Sequence, residues 1–140
     1  MKCLILAAGL GSRLFDLTRD HPKALVPVNK KPMLGYQLDA LVACGIGSVG
    51  FAVGHAGEKI IDFVGRVYPR LETRFFWNRE YVETNSAYSF WQAREWVEDE
   101  THIHLNCDIL FSPSFLKRLI DAPAQNVIAI RRDISLGNEM

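Results

Sequence analysis

Along the chain, short apolar runs alternate with stretches of mixed polarity. The runs Lys2–Ala7, Ser48–Val53, Arg74–Trp77, Ile103–Cys107 and Val127–Arg131 predict buried strands. Between them, apolar residues recur at helical spacing. Leu34, Leu38 and Leu41 follow Pro32, where a first helical turn tolerates proline, and Gly45 ends the run. Ile60, Ile61, Val64 and Val67 predict a second amphipathic helix that closes before Pro69. Asn85 is placed to cap a third helix running through Trp96, and Pro113 to start a fourth ending near Asp121. The order β-α-β-α-β-α-β-α-β, with connections of crossover length, predicts an α/β, Rossmann-like three-layer α/β/α sandwich on a mostly parallel sheet. Ligands of such sheets bind outside the carboxyl ends of the strands, so the loops there are the place to look for chemistry.

Composition narrows the possibilities. The 140 residues are 49% apolar and 23% charged, the balance of an ordinary soluble globular domain. Sixteen basic and sixteen acidic side chains cancel, which argues against a broad nucleic-acid or anionic-membrane surface. The first apolar run is too short for a signal-peptide core or a membrane span. Cys3, Cys44 and Cys107 are widely spaced in apolar surroundings and read as reduced core thiols of a cytoplasmic protein. Charge is unevenly placed: residues 1–31 carry six basic groups against Asp16 and Asp20, so a small anion is expected near the start.

The segment Leu6-Ala7-Ala8-Gly9-Leu10-Gly11-Ser12-Arg13-Leu14 directly follows the first strand. Small residues let backbone N–H groups approach a phosphate, and Arg13 adds a permanently charged fork. No Gly-x-x-x-x-Gly-Lys-Ser/Thr loop occurs anywhere. The dinucleotide fingerprint fails as well, because Leu14 replaces its third small residue and Val53-Gly54 its strand-end acid. Asp108 closes the fourth strand, where a carboxylate is costly unless paired; Mg²⁺ with phosphate oxygens is a natural partner. His102, His104 and Cys107 match no closed tetrahedral zinc site, so the histidines are expected to be solvated or in the core. Tyr88, Trp91 and Trp96 are expected to pack in the core.

The continuation Arg13-Leu14-x-x-x-Thr18-x-x-x-Pro22-Lys23-x-Leu25-x-Pro27-Val28, then Lys31-Pro32-x-Leu34, resembles the signature of the nucleotidyltransferase family. That family contains the sugar-nucleotide pyrophosphorylases and the phosphocholine and phosphonate cytidylyltransferases. The resemblance spans essentially all 140 residues, in register with the family's N-terminal, nucleotide-binding part. It implies that Leu6, Ala7, Ala8, Gly9, Gly11, Ser12 and Arg13 wrap a nucleoside triphosphate. Lys23 would reach the same anion, with Arg13 and Lys23 as the catalytic pair and Asp108 as a Mg²⁺ ligand. Asn106-Cys107 before Asp108 departs from the glycine usual there. The segment Glu83–Ser89, with Asn78, is similar to the Thr-Asn-Asn-x-x-Ser pattern of the cytidylyltransferase-like branch, which implies base contacts at Thr84, Asn85 and Ala87 and favours CTP. The implied reaction is attack by a phosphate or phosphonate acceptor, such as phosphocholine, on the α-phosphorus, releasing pyrophosphate. The alternatives are a sugar-1-phosphate nucleotidyltransferase using UTP, GTP or dTTP, and a non-catalytic nucleotide-binding module. Relatives continue well beyond Met140 and carry a second metal carboxylate and most of the acceptor pocket there, so the chain looks like the nucleotide-binding portion of a larger domain.

Overall fold

The computed structural model describes residues 1–130. Among the described residues six strands form: β1 (Lys2–Ala7), β2 (Pro27–Val28), β3 (Lys31–Pro32), β4 (Ser48–Val53), β5 (Glu72–Trp77) and β6 (His102–Asn106). The α-helices are α1 (Met33–Ala43), α2 (Gly57–Val67), α3 (Ser86–Gln92), α4 (Arg94–Val97) and α5 (Pro113–Ile120). Two 3-10 segments, Ser12–Thr18 and Lys23–Leu25, carry the chain out of β1.

The main sheet is parallel, in the order β5-β4-β1-β6. The chain starts in the interior at β1, steps outward to β4 and β5, then returns to the other side of β1 as β6. Winding therefore reverses between β1 and β6, with Leu6 opposite Asn106 at the carboxyl ends. Side chains alternate across the sheet. Cys3, Ile5, Val49, Phe51, Ile103 and Leu105 share one core with Leu34, Leu38 and Leu41 of α1, Ile60 and Val64 of α2, and Leu116 of α5. Leu4, Leu6 and Ala52 face the other way, onto Ala93 and Val97 beside α3 and α4. Crossovers on both faces produce the expected three layers.

Several boundaries differ from the sequence reading. β5 begins at Glu72, and β6 spans His102–Asn106. Pro32 belongs not to a helical turn but to a small β2–β3 hairpin, which turns through Asn29 and Lys30, both at positive φ. The expected third helix breaks at Ala93 (φ −105°, ψ 0°) into α3 and α4. Across that break Ala93 and Val97 stay buried against the sheet. Trp96 packs beside Gly50 and Phe76, whereas Trp91 is 57% exposed and stacks under the Arg94 guanidinium, so it is not a core residue. Val127–Ile130 forms no strand: it is exposed and has no ladder to join among the described residues. A strand needs a neighbour for its backbone N–H and C=O groups, and apolar character alone does not supply one. Arg131 and the terminal segment through Met140 lie outside the described residues. No described helix is long and apolar enough to cross a membrane.

Candidate functional site

A cleft of about 610 Å³ opens at the carboxyl ends of β1 and β6, where the winding reverses. Three stretches of chain wall it. The first is the loop after β1 (Ala8, Gly9, Gly11, Ser12, Arg13, Leu14) with Lys23; the second is Asn78–Ser89; the third is Asn106, Cys107 and Asp108.

The loop is held from below. Gly11 has φ +65°, and a Cβ there would lie 3.0 Å from the Thr18 methyl, so both conformation and space require glycine. Thr18, buried, donates its hydroxyl to the Gly11 carbonyl at 2.9 Å. The Thr18 carbonyl accepts from His55 Nε2 at 2.7 Å, and the His55 amide donates to the Ala8 carbonyl at 3.1 Å. The end of β4 is thus fastened to both ends of the loop. A Cβ at Gly54 would meet the Ala8 carbonyl at 2.6 Å, which is why no side chain stands there. Gly9, by contrast, lines the cleft and has open space where a Cβ would be.

Lys23 and Asp108, 85 residues apart, meet at 2.6 Å through Nζ and Oδ2. Lys23 opens a 3-10 turn that buried Pro22 precedes in extended conformation. Asp108 follows β6, in a turn whose carbonyls accept from buried Gln37. The donor set suits a small hard divalent cation: one carboxylate beside a wall carrying Arg13 and Lys23, where phosphate oxygens would complete the coordination. Beside the carboxylate, burial and the Asp108 charge push the Cys107 thiol pKa up to about 11, so it stands there as a neutral thiol. The described residues form no group of three or more His, Cys, Asp or Glu side chains that would cage an ion alone.

The second wall is a hydrogen-bonded frame. Asn78, 1% exposed, donates through Nδ2 to Thr84 Oγ1 (2.9 Å) and Ser89 Oγ (3.0 Å), and its Oδ1 accepts from the Glu80 amide. Asn85 caps α3, its Oδ1 accepting from the Ala87 and Tyr88 amides at 3.0 and 3.3 Å. Its Nδ2 is thereby turned away from the helix end.

Of the residues singled out in the sequence, Leu6, Ala8, Gly9, Gly11, Ser12, Arg13, Lys23, Thr84, Asn85 and Asp108 all line the cleft. Two do not. Ala7 alternates to the opposite face of β1 and packs in the α1-side core, and Ala87 is exposed outside the lining, its amide donating to Asn85 Oδ1. The positive start of the chain also fails to act as one patch. Lys2 pairs with Glu100, Arg19 with Asp16 and Lys31 with Asp39, and Lys30 is exposed in the β2–β3 turn; of the six, Arg13 and Lys23 line the cleft, Lys23 paired with Asp108. Cys3 is a core thiol, but Cys107 lines the cleft and Cys44 is half-buried. His102 and His104 flank Phe90 on the sheet face, with His104 stacked on it at 5.3 Å. The sequence reading missed His55, Gln37 and Tyr81, which lines the cleft next to Gly54. Only Gln37 left a signal, as a polar residue on the stripe of Leu34, Leu38 and Leu41.

A family model described as "MobA-like NTP transferase domain" matches residues 3–136. The CMP-5'-(3-aminopropyl)phosphonate synthase of Streptomyces rubellomurinus is 33% identical over 134 residues, covering 96% of this chain and 21% of that protein. The choline-phosphate cytidylyltransferase of Streptococcus pneumoniae is 40% identical over 95 residues, covering 68% of this chain and 40% of that protein. A solved structure of CTP:phosphocholine cytidylyltransferase from Streptococcus pneumoniae superposes with a TM-score of 0.69 at 35% identity, covering 81% of this chain and 49% of that one. The chain thus spans half or less of the length of its partner in each of these matches.

Proposed function

The chain belongs to the MobA-like NTP transferase domain family, and from that premise we propose that residues 1–140 are the nucleotide-binding portion of a cytidylyltransferase. The enzyme moves CMP from CTP onto a phosphate or phosphonate acceptor and releases pyrophosphate. One observation carries this reading: Lys23 and Asp108 converge at 2.6 Å beside the Gly9–Arg13 loop, in the crevice where the sheet reverses.

An acceptor oxygen attacks the α-phosphorus, a new P–O bond forms, and the bond to the β-phosphate oxygen breaks, its electron pair leaving with pyrophosphate. Charge builds on the triphosphate oxygens as that bond breaks. Loop amides, the Arg13 guanidinium and the Lys23 ammonium neutralise it without covalent participation. Mg²⁺, when bound, supplies further neutralisation, and Asp108 is the residue that would hold it. On the second wall, the fixed Asn85 Nδ2 is a donor suited to the O2 and N3 acceptors of cytosine. Uracil shares the O2 acceptor but presents N–H at N3, so a contact from this donor to N3 would favour CTP over UTP. Three free thiols suit a reducing compartment, and we place the protein in the cytoplasm.

Isothermal titration with CTP in Mg²⁺ tests this reading. Wild type binds, whereas Lys23→Ala and Asp108→Asn each weaken binding by about 10- to 100-fold, the loss expected for a charge-assisted contact worth about 1.5–3 kcal/mol. Equal affinity in all three proteins refutes the site. Preference for UTP, GTP or dTTP in the same titrations moves the assignment to a sugar-1-phosphate transferase. CTP binding without pyrophosphate release, with acceptor and the remainder of the enzyme supplied, leaves a nucleotide-binding module.

A further inference from the structure

Gln37 lies on the buried face of α1 between Leu34, Leu38 and Leu41, and is 1% exposed. Its Nε2 donates to the Asn106 and Ile109 carbonyls, both at 2.8 Å. These are the two ends of the turn that carries Cys107 and Asp108. Among the described residues no backbone hydrogen bond joins Ile109 to Asn106, so the Gln37 amide is what closes this turn. The Gln37 Oε1, also buried, has no partner. A buried unpaired acceptor costs about 1–3 kcal/mol. An apolar residue of the same volume, such as methionine, would fill the site without that cost. Packing therefore does not explain the glutamine; the turn does.

We infer that Gln37 is a positioning residue. It clamps the Asn106–Ile109 turn from beneath and so aims the Asp108 carboxylate across the cleft at Lys23. This rests on the reading of Asp108 as the residue that holds the divalent cation. It adds that α1, which contributes nothing to the cleft lining, sets the geometry of the cation side. The device resembles the outer partners that orient metal-binding side chains.

Two measurements on the full chain test it. In the first, iodoacetamide labelling followed by peptide mass spectrometry reads Cys107, inside the turn, against Cys3 in the core. Gln37→Met should speed labelling of Cys107 several-fold and leave Cys3 unchanged. Gln37→Glu, which keeps the shape but sets a carboxylate against two carbonyls, should do the same if the methionine variant folds poorly. Parallel acceleration of both thiols, or none at Cys107, overturns the inference, because a merely structural glutamine would loosen the whole core or nothing. The second compares CTP affinity in Mg²⁺ with that in EDTA. Gln37→Met should lose about 10-fold of the Mg²⁺-dependent part and little of the rest, as outer-partner substitutions do. Combined with Asp108→Asn it should lose no more than Asp108→Asn alone, whereas additive losses reject the coupling. If wild type does not bind CTP, the nucleotide reading fails while the labelling result still decides the clamp.

Discussion

The thiol of Cys107 stands one residue from the carboxylate proposed to hold the cation, and it serves as a reporter on that turn. Burial, reinforced by the Asp108 charge, raises its pKa to about 11, against about 8.5 for an unperturbed thiol. Alkylation of Cys107 should therefore rise with pH toward an inflection near 11. Asp108→Asn should lower that inflection, because one of the raising influences disappears. An inflection near 8.5 in the wild-type protein would show that the thiol is not held in the turn. The linkage has a definite sign: the folded state retains the proton more tightly than the unfolded chain. The contribution to stability is complete below about pH 8.5 and is lost as pH rises toward 11. Side chains such as Arg13, Lys23 and Asp108 were legible from the sequence because a long motif or a strand end marks them. Gln37 was not picked out, because a single polar residue in an apolar stripe announces burial but not its partners, which lie 69 and 72 residues away.

At the scale of elements, the layer formed by α3 and α4 depends on missing side chains. A Cβ at Gly50 of β4 would lie 2.5 Å from the Trp96 ring, so the indole lies directly against the strand. Gly50→Ala should push Trp96 outward and destabilise the protein by about 1–3 kcal/mol, the usual cost of overpacking. Urea unfolding followed by tryptophan fluorescence measures it, and an unchanged midpoint with unchanged emission would contradict the contact. The strand and helix order was readable because β1 and β4 are apolar on both faces and α1 repeats leucine at helical steps. What failed shares a cause. Val127–Ile130 looked like a strand, and residues 85–96 looked like one helix, because local pattern carries no information about a missing ladder partner or about the Ala93 break. The β2–β3 hairpin was hidden for the opposite reason: two-residue strands, each containing a proline, are too short to show alternation.

The molecule as a whole is organised around a strand whose neighbours come late. β1 pairs with β4 through Cys3 and Val49, and with β6 through Lys2 and His102. Both walls of the cleft that meet at Lys23 and Asp108 depend on the second pairing. At about 5–20 residues per second of synthesis, roughly 5–20 s separate the appearance of β1 from that of β6. For that interval a strand that is apolar on both faces, Cys3 to Ala7, waits beside the ribosome with at most one flank covered. Nascent chains stalled before β6 has emerged should be cut rapidly by protease, and those stalled well beyond it should resist. Resistance before β6 would mean that the first three parallel strands suffice. The inside-out winding that creates the crevice thus also sets a vulnerability in time, during which chaperone occupancy should be highest on β1.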